Sequence, residues 1–245
     1  FYLKYFIIIK EWFRESRNEV PEDLEEAIYH FGKSYAFVWQ DTNTDFLFNG
    51  NNISTNDIFD NYLRRLGYRF KNEHTDLGGY IILSNKKICL AMDVGSSPNS
   101  KFTQNYQSGA LSFEIVSNGK KLISNCGYFD TNNKKLNLLS KSTATHNSLT
   151  IDDNSSCKFV RKKNMWILKT GLKITRKDFI NEKNYWRICA SHDGYIGKYN
   201  SIHERNVEFY HDQMTFVGND KIIKKKTKHN YKFDIRFHLE PNIKL

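Results

Sequence analysis

Proline is scarce in this chain, three in 245 residues, and no Gly/Ser-rich run appears. Both absences exclude a long flexible linker. Cysteine is sparse too. Cys89, Cys126, Cys157 and Cys189 lie far apart and form no C-x-x-C pair, which excludes a disulfide framework or a cysteine zinc site. Each sits in an apolar, strand-like context and reads as a buried free thiol. No apolar run approaches the roughly 20 residues that cross a bilayer; the run 5–9 is bracketed by Lys4 and Lys10. There is no glycine-rich phosphate loop, no serine nucleophile elbow, no nucleic-acid-binding motif and no repeat of fixed period.

What is present is the composition of a folded protein. Hydrophobic residues make up 39% and aromatic residues 15%, more than a disordered chain carries. The length suits one large or two small domains. The formal net charge is +10. A basic balance suits nucleic acid, a membrane surface or an acidic polymer such as a uronic-acid polysaccharide. The abundance of Lys and Asn along the whole chain points more to a compositional bias. The densest cluster, 221–232 with Lys224-Lys225-Lys226, falls between two strand patterns. It reads as a solvated hairpin, so no nucleic-acid partner is expected.

Periodicity divides the chain. Residues 1–17 read as an amphipathic helix, with Tyr2, Phe6, Ile9 and Phe13 at three- and four-residue spacing. Pro21 opens a second helix, whose first turn holds Glu22 and Asp23 and whose stripe is Leu24, Ile28 and Phe31. From Tyr35 the pattern changes: 36–39 and 45–48 look like short strands around a polar turn. Ser54-x-x-Asp57 resembles a capping box opening a short helix to Leu66, with Ile58, Tyr62 and Leu66 as its apolar face and Gly67 ending it. From Gly78 nearly everything alternates with period two. Strands are expected over 79–84 and 88–93, paired around Asn85-Lys86. Others follow at 111–115, 149–151, 157–161, 165–175, 185–190, 206–210, 213–217 and 231–240. Many strands joined by short turns predict a mainly β fold, an antiparallel β-sandwich preceded by a short α-helical segment.

The stretch 101–151 organises the rest. In it Asn105, Gln107, Asn125 and His146 fall on polar faces or strand starts, where they could converge on one surface. The same stretch carries a resemblance. Gly78-Gly79-Tyr80, Met92-Asp93-Val94-Gly95, Gly109-Ala110-Leu111-Ser112-Phe113-Glu114, Asn125-Cys126-Gly127 and His146-Asn147-Ser148-Leu149 resemble the C-terminal β-domain of heparinase II/III-like proteins, as do Ala190-Ser191-His192-Asp193-Gly194-Tyr195 and Arg236-Phe237-His238-Leu239. Those proteins are polysaccharide lyases and their relatives. The resemblance implies that 1–34 is the end of an α/α-toroid and 35–245 the β-sandwich domain. It also implies a fragment of a longer protein, starting at Phe1 in place of Met, located in the periplasm or cell envelope. The expected partner is an anionic polysaccharide.

A uronate lyase removes the proton at C5, beside the carboxylate, and expels the 4-oxygen. It needs a base, an acid and a group that neutralises the carboxylate. By resemblance the main acid/base groups come from the toroid, so this fragment alone is expected to be inactive, and the β-domain contributes a histidine and in some relatives a zinc site. Here the His-x-His-x-Asp run of many relatives is replaced by Asn105, Gln107 and Gly109, and a ligand Asp by Asn125; His146 alone is kept. Zinc takes three or four His, Cys or carboxylate ligands, so no cofactor is expected. The catalytic candidates are His146 and Asn105, and the substrate-binding candidates are Gln107, Asn125, Arg236 and His238. Alternatively, His146 holds its strand by bonding to backbone, and the chain is a non-catalytic carbohydrate-binding or structural domain. His192 and Asp193 on a strand point to opposite faces and form no dyad by themselves, Asp193-Gly194 reads as a turn, and His203 with Arg205 as basic groups on a solvated strand face.

Overall fold

The computed structural model describes residues 2–39, 45–51, 57–129, 133–163, 165–224, 230–241 and 243. Three helices come first: α1 (Tyr2–Glu15), α2 (Glu22–Trp39) and α3 (Asp57–Arg65). Leu3 and Ile7 of α1, Ile28 of α2 and Leu63 of α3 form one buried cluster. The Pro21 carbonyl accepts from Leu24 and Glu25 N–H, and the acidic first turn of α2 suits the positive end of the helix dipole. Gly67, at φ +80°, stops the chain after α3 as expected.

Two readings of this part are corrected. Residues 36–39, expected as a strand, are the last turn of α2. That turn is fixed by Phe37, which is buried against Phe46, Phe48, Ile82 and Val116, and tertiary packing overrides the β-propensity of an aromatic-rich run. On α3, Ile58 is 73% exposed while Leu63 is buried and Phe59 packs beside it. Tyr62 packs inward as expected, while Phe59 and Leu63 take the inward places expected of Ile58 and Leu66. Ser54 of the capping box lies outside the described residues, and 45–48 is not part of a sheet.

The β region holds two main antiparallel sheets. The first, in spatial order, is β1 (Asp76–Leu77), β2 (Tyr80–Ser84), β3 (Ile88–Asp93), β4 (Phe113–Ser117) and β5 (Lys120–Ile123). After β5 come α4 (Lys134–Ser140) and the short strands β6 (Leu149–Ile151), β7 (Lys158–Lys162) and β8 (Met165–Thr170). The second sheet contains β9 (Ile174–Asn181), β10 (Tyr185–His192), β11 (Ser201–Tyr210) and β12 (Thr215–Lys224), with α5 (Ile196–Tyr199) between β10 and β11. β13 (Phe233–Ile235) pairs with β6, and β7 with β8.

β3 is buried on both faces, which is why it reads as a continuous apolar run. Leu90 and Met92 meet Trp186, Ile188, Val207 and Phe209 of the second sheet, and Cys89 and Ala91 meet Phe37, Phe46 and Phe48. Each such side chain contributes about 1.5–3 kcal/mol on burial. The result is a β-sandwich with the end of α2 laid over its first sheet.

The expected strand 165–175 is divided between two sheets at Gly171–Lys173. A Cβ on Gly171 would stand 2.6 Å from that of Ser97, and Leu172 is buried with its N–H on Ser97 Oγ at 2.8 Å. The expected strand 231–240 pairs only over β13, then touches β5 through one Ile123–Leu239 bridge. Its apolar side chains face outward, Phe237 being 50% exposed. Cys126 is exposed and the other three thiols are buried.

Candidate active site

The end of β3 builds a cleft. Val94 N–H bonds the Gly79 carbonyl, so two loops run back to back. A Cβ on Gly79, which has φ +88°, would stand 2.8 Å from Gly95 Cα; only glycine fits. Asp93 closes the strand and is 2% exposed. Its Oδ1 accepts from Gly95 N–H at 3.0 Å and its Oδ2 from Asn49 Nδ2 at 3.0 Å. Burial pushes its pKa up to about 7, against the pull of those two bonds.

Asn49 organises the floor. Its Nδ2 also donates to Tyr80 Oη at 2.7 Å, and its Oδ1 accepts from Gln107 N–H at 3.2 Å. That backbone donor fixes which end of the amide faces Tyr80 and Asp93. Tyr80 Oη therefore accepts from the amide and keeps its own proton to donate. The space above, about 230 Å³, is lined by Asn49, Tyr80, Asp93, Gly95, Asn105 and Tyr106. Asn105 is exposed at the wall, with Gly50 pressed behind it.

Gln107 lies two residues farther and is fully buried. Its Oε1 accepts from Gly50 N–H at 2.9 Å, and its Nε2 donates to the Ser140 and Gly127 carbonyls at 2.5 and 3.2 Å. Every polar atom of the amide is used within the fold, so the expectation that Gln107 meets a sugar gives way to one of loop support. His146 is 1% exposed. Its Nδ1 donates to the Ser142 carbonyl at 2.8 Å, so Nε2 carries the lone pair, buried and without a partner among the described residues. Burial lowers its pKa to about 4, the Ser142 bond opposing. A Cβ on Gly109 would stand 2.6 Å from the ring. The 105–109 loop thus runs from the cleft wall to His146.

Asn125 and His238 meet through Asn147. Asn147 N–H donates to Asn125 Oδ1 at 2.9 Å, and Asn147 Oδ1 accepts from His238 N–H at 2.6 Å. Arg236 is not with them: it donates to Thr150 Oγ1 at 2.6 Å and reaches Asp153 at 3.3 Å. The zinc places implied by resemblance are held by Asn105, Gln107, Gly109, Asn125 and His146: three amides, a residue with no side chain and one imidazole. No three His, Cys, Asp or Glu side chains gather as a ligand set among the described residues. These residues do not fit zinc.

A second buried polar group was not foreseen. His203 and Arg205, expected on a solvated face, and His192, which ends β10, are buried with at most 1% exposure. Gly194 N–H donates to His192 Nδ1 at 3.1 Å, which leaves His192 Nε2–H to donate to His203 Nδ1 at 3.2 Å. His203 Nε2–H then donates to Asp220 Oδ1 at 2.6 Å. Arg205 bonds both Asp220 oxygens and reaches the Leu111 and Asn147 carbonyls. Burial disfavours the Asp220 charge, but His203 and Arg205 outweigh it and hold the pKa at about 2. The second sheet is thereby tied to the 105–111 loop and to Asn147.

Sequence reasoning missed Asn49, Tyr80 and Asp93 as a group. The available signal was a carboxylate ending an otherwise apolar run, Ile88 to Met92, just ahead of Gly95.

Residues 71–245 match the family described as heparinase II/III-like, C-terminal. Among solved structures, the fold is similar to a heparan sulfate lyase, HepC, from Pedobacter heparinus, with a TM-score of 0.69 and 14% identity, covering 97% of this chain and 38% of that one. It is also similar to heparinase III, with a TM-score of 0.59 and 17% identity, covering 84% of this chain and 35% of that one. The chain spans well under half the length of either. The comparison with curated proteins finds no match.

Proposed function

From the premise that the chain belongs to the heparinase II/III-like family, we propose that it is the β-sandwich part of a lyase that cleaves a uronic-acid-containing polysaccharide by β-elimination. Residues 1–34 and the rest of α2 are then the end of the helical toroid, and the protein is exported to the periplasm or cell envelope, where such polymers are met. The observation that carries the reading is the cleft in which one amide, Asn49, holds both a phenol and a near-neutral carboxyl.

Tyr80, accepting from Asn49, is set to donate its proton to the departing 4-oxygen or to the uronate carboxylate. Asn105, exposed at the wall, supplies an amide to that carboxylate, where charge builds up as the C5 proton leaves. Asp93 holds Asn49 in place and can take or keep a proton near neutral pH. His146 and Gln107 serve from behind as positioning residues for the 105–109 loop, and Asn125 holds Asn147. The base that removes the C5 proton is supplied by the toroid.

The test uses the parent protein and the ultraviolet absorbance of the unsaturated uronate product, on heparan-type, chondroitin-type and alginate-type polymers. Tyr80→Phe is expected to lower kcat by about a hundredfold or more with little change in polymer binding. A trace that stays flat on every polymer while binding persists would transfer the chain to the non-catalytic carbohydrate-binding class. Full activity in Tyr80→Phe would remove the cleft from the chemistry.

A further inference from the structure

A second hollow lies at the other end of the first sheet, about 17 Å along β3 from Asp93 at the usual strand rise. It is a groove of about 990 Å³ between the helices and the β2–β3 and β4–β5 turns. Its apolar wall includes Trp39, Ile88 and Val116, beside the rings of Tyr35, Tyr68 and Phe70. Its cations are Arg64, Arg69, Lys71, Lys86 and Lys87, all exposed. Against these five stands one lining carboxylate, Asp60, already bonded to Arg64 at 2.7 Å.

We propose that this groove is a second, non-catalytic site for a sulfated or carboxylated oligosaccharide. It holds a stretch of the polymer away from the cleft, and in this it rests on the reading of the chain as part of a polysaccharide lyase. A ligand recognised by its anionic substituents suits a groove whose exposed rim is cationic, since Arg and Lys form charge-assisted hydrogen bonds to sulfate and carboxylate. A single-stranded nucleic acid would need rings splayed open for base stacking. Here Trp39 is only 8% exposed and stacks on Tyr35, and Tyr68 stacks on Phe70.

The test titrates a heparin-type oligosaccharide, and the same oligosaccharide stripped of its charges, into the 245-residue chain by calorimetry. The triple change Lys71→Glu, Lys86→Glu and Lys87→Glu is compared with Lys135→Glu, Lys183→Glu and Lys221→Glu, equally exposed positions outside the groove. Circular dichroism confirms that both variants fold. The groove triple is expected to weaken binding at least tenfold and to flatten its salt dependence. The control triple should bind within about twofold of wild type. Equal losses in the two triples, unchanged binding in the groove triple, or tight binding of the uncharged oligosaccharide would overturn the proposal. So would equally tight binding of a DNA oligonucleotide that the groove triple also loses. Elimination by the parent is read separately, so a failed groove leaves the lyase reading standing, and a catalytically silent parent leaves the groove measurement intact.

Discussion

Asp93 is a carboxyl placed where water hardly reaches, with only two N–H donors to steady its charge. An unfolded chain ionises it near 3.8, whereas the folded chain holds its proton to about 7. Between those values the native state binds the extra proton. The carboxyl's contribution to stability is therefore complete below 3.8 and is lost as pH rises through about 7. The full loss is about 4 kcal/mol at 1.36 kcal/mol per unit. Asp93→Asn removes this titration while keeping the shape. The stability of wild type relative to Asp93→Asn, from urea unfolding, is expected to fall steadily across that window. A difference flat in pH would mean that the carboxyl is already ionised in the folded chain. The residue's importance was only half legible. Its place in an apolar strand foretold burial, but its partner Asn49 is 44 positions away, and no local pattern links the two. Asn105 was legible as a polar group at a strand start, but which of its neighbours faces the cleft and which the interior was not. Gln107, two positions on, points inward because the chain curls around Asn49 rather than running as a strand.

At the level of the strand, β11 alternates buried and half-exposed along its length, with Ser201, His203, Arg205, Val207 and Phe209 inward. Val207 and Phe209 share the parity of His203 and Arg205, so the inward pointing of the basic pair was readable. The strand expected from the sequence starts at 206 and leaves the polar half of β11 outside it. Period two works for elements whose inner face is apolar, and it misleads where a sheet buries a polar network. The C-terminal tail shows the converse: Phe233, Ile235, Phe237 and Leu239 alternate cleanly yet face outward, and hydrogen-bond partners rather than hydrophobicity set that side. The ordered His192–His203–Asp220 relay makes a specific claim about β10 and β11. His203→Phe keeps a ring in the core but leaves the His192 Nε2–H without an acceptor and removes one donor from Asp220. At pH above 6.5 it should cost about 2–4 kcal/mol in urea unfolding, as the loss of a buried bond to a charged group does. As pH falls below 6.5 the gap should narrow. Burial lowers the wild-type His203 pKa despite the Asp220 bond, so wild type alone forfeits stability as its unfolded imidazole takes up a proton. An equal cost at both ends of that range would show that the ring's protonation is not linked to folding.

The whole molecule was legible as strands and helices and not as a set of pairings. Alternation and turn chemistry foretold the β2–β3 hairpin and the helix-then-sheet order, since both are local. The division of 165–175 between two sheets, the cover of Phe37 over the first sheet and the Arg205 tie to the 105–111 loop are contacts between distant segments, written in no single window. Together they bury three imidazoles in neutral form. Burial holds His146 at about 4 and lowers His192 and His203, while each takes a proton near 6.5 once unfolded. Below 6.5 the unfolded chain therefore binds up to three protons that the native chain does not. Asp93 works the other way, since there the native state holds the extra proton, and the raised pKa of buried Glu114 adds to it. The histidines outnumber the two carboxyls, so stability of the whole chain should decline as pH falls from 6.5 toward 4. The expected slope is on the order of 1–3 kcal/mol per unit, one or two net protons. Calorimetric unfolding in buffers of different ionisation enthalpy counts those protons directly. Net uptake on unfolding at mid-interval is the expected result, and net release would show that the buried imidazoles are charged or the carboxyls dominant, against the hydrogen-bond directions that hold the two sheets together.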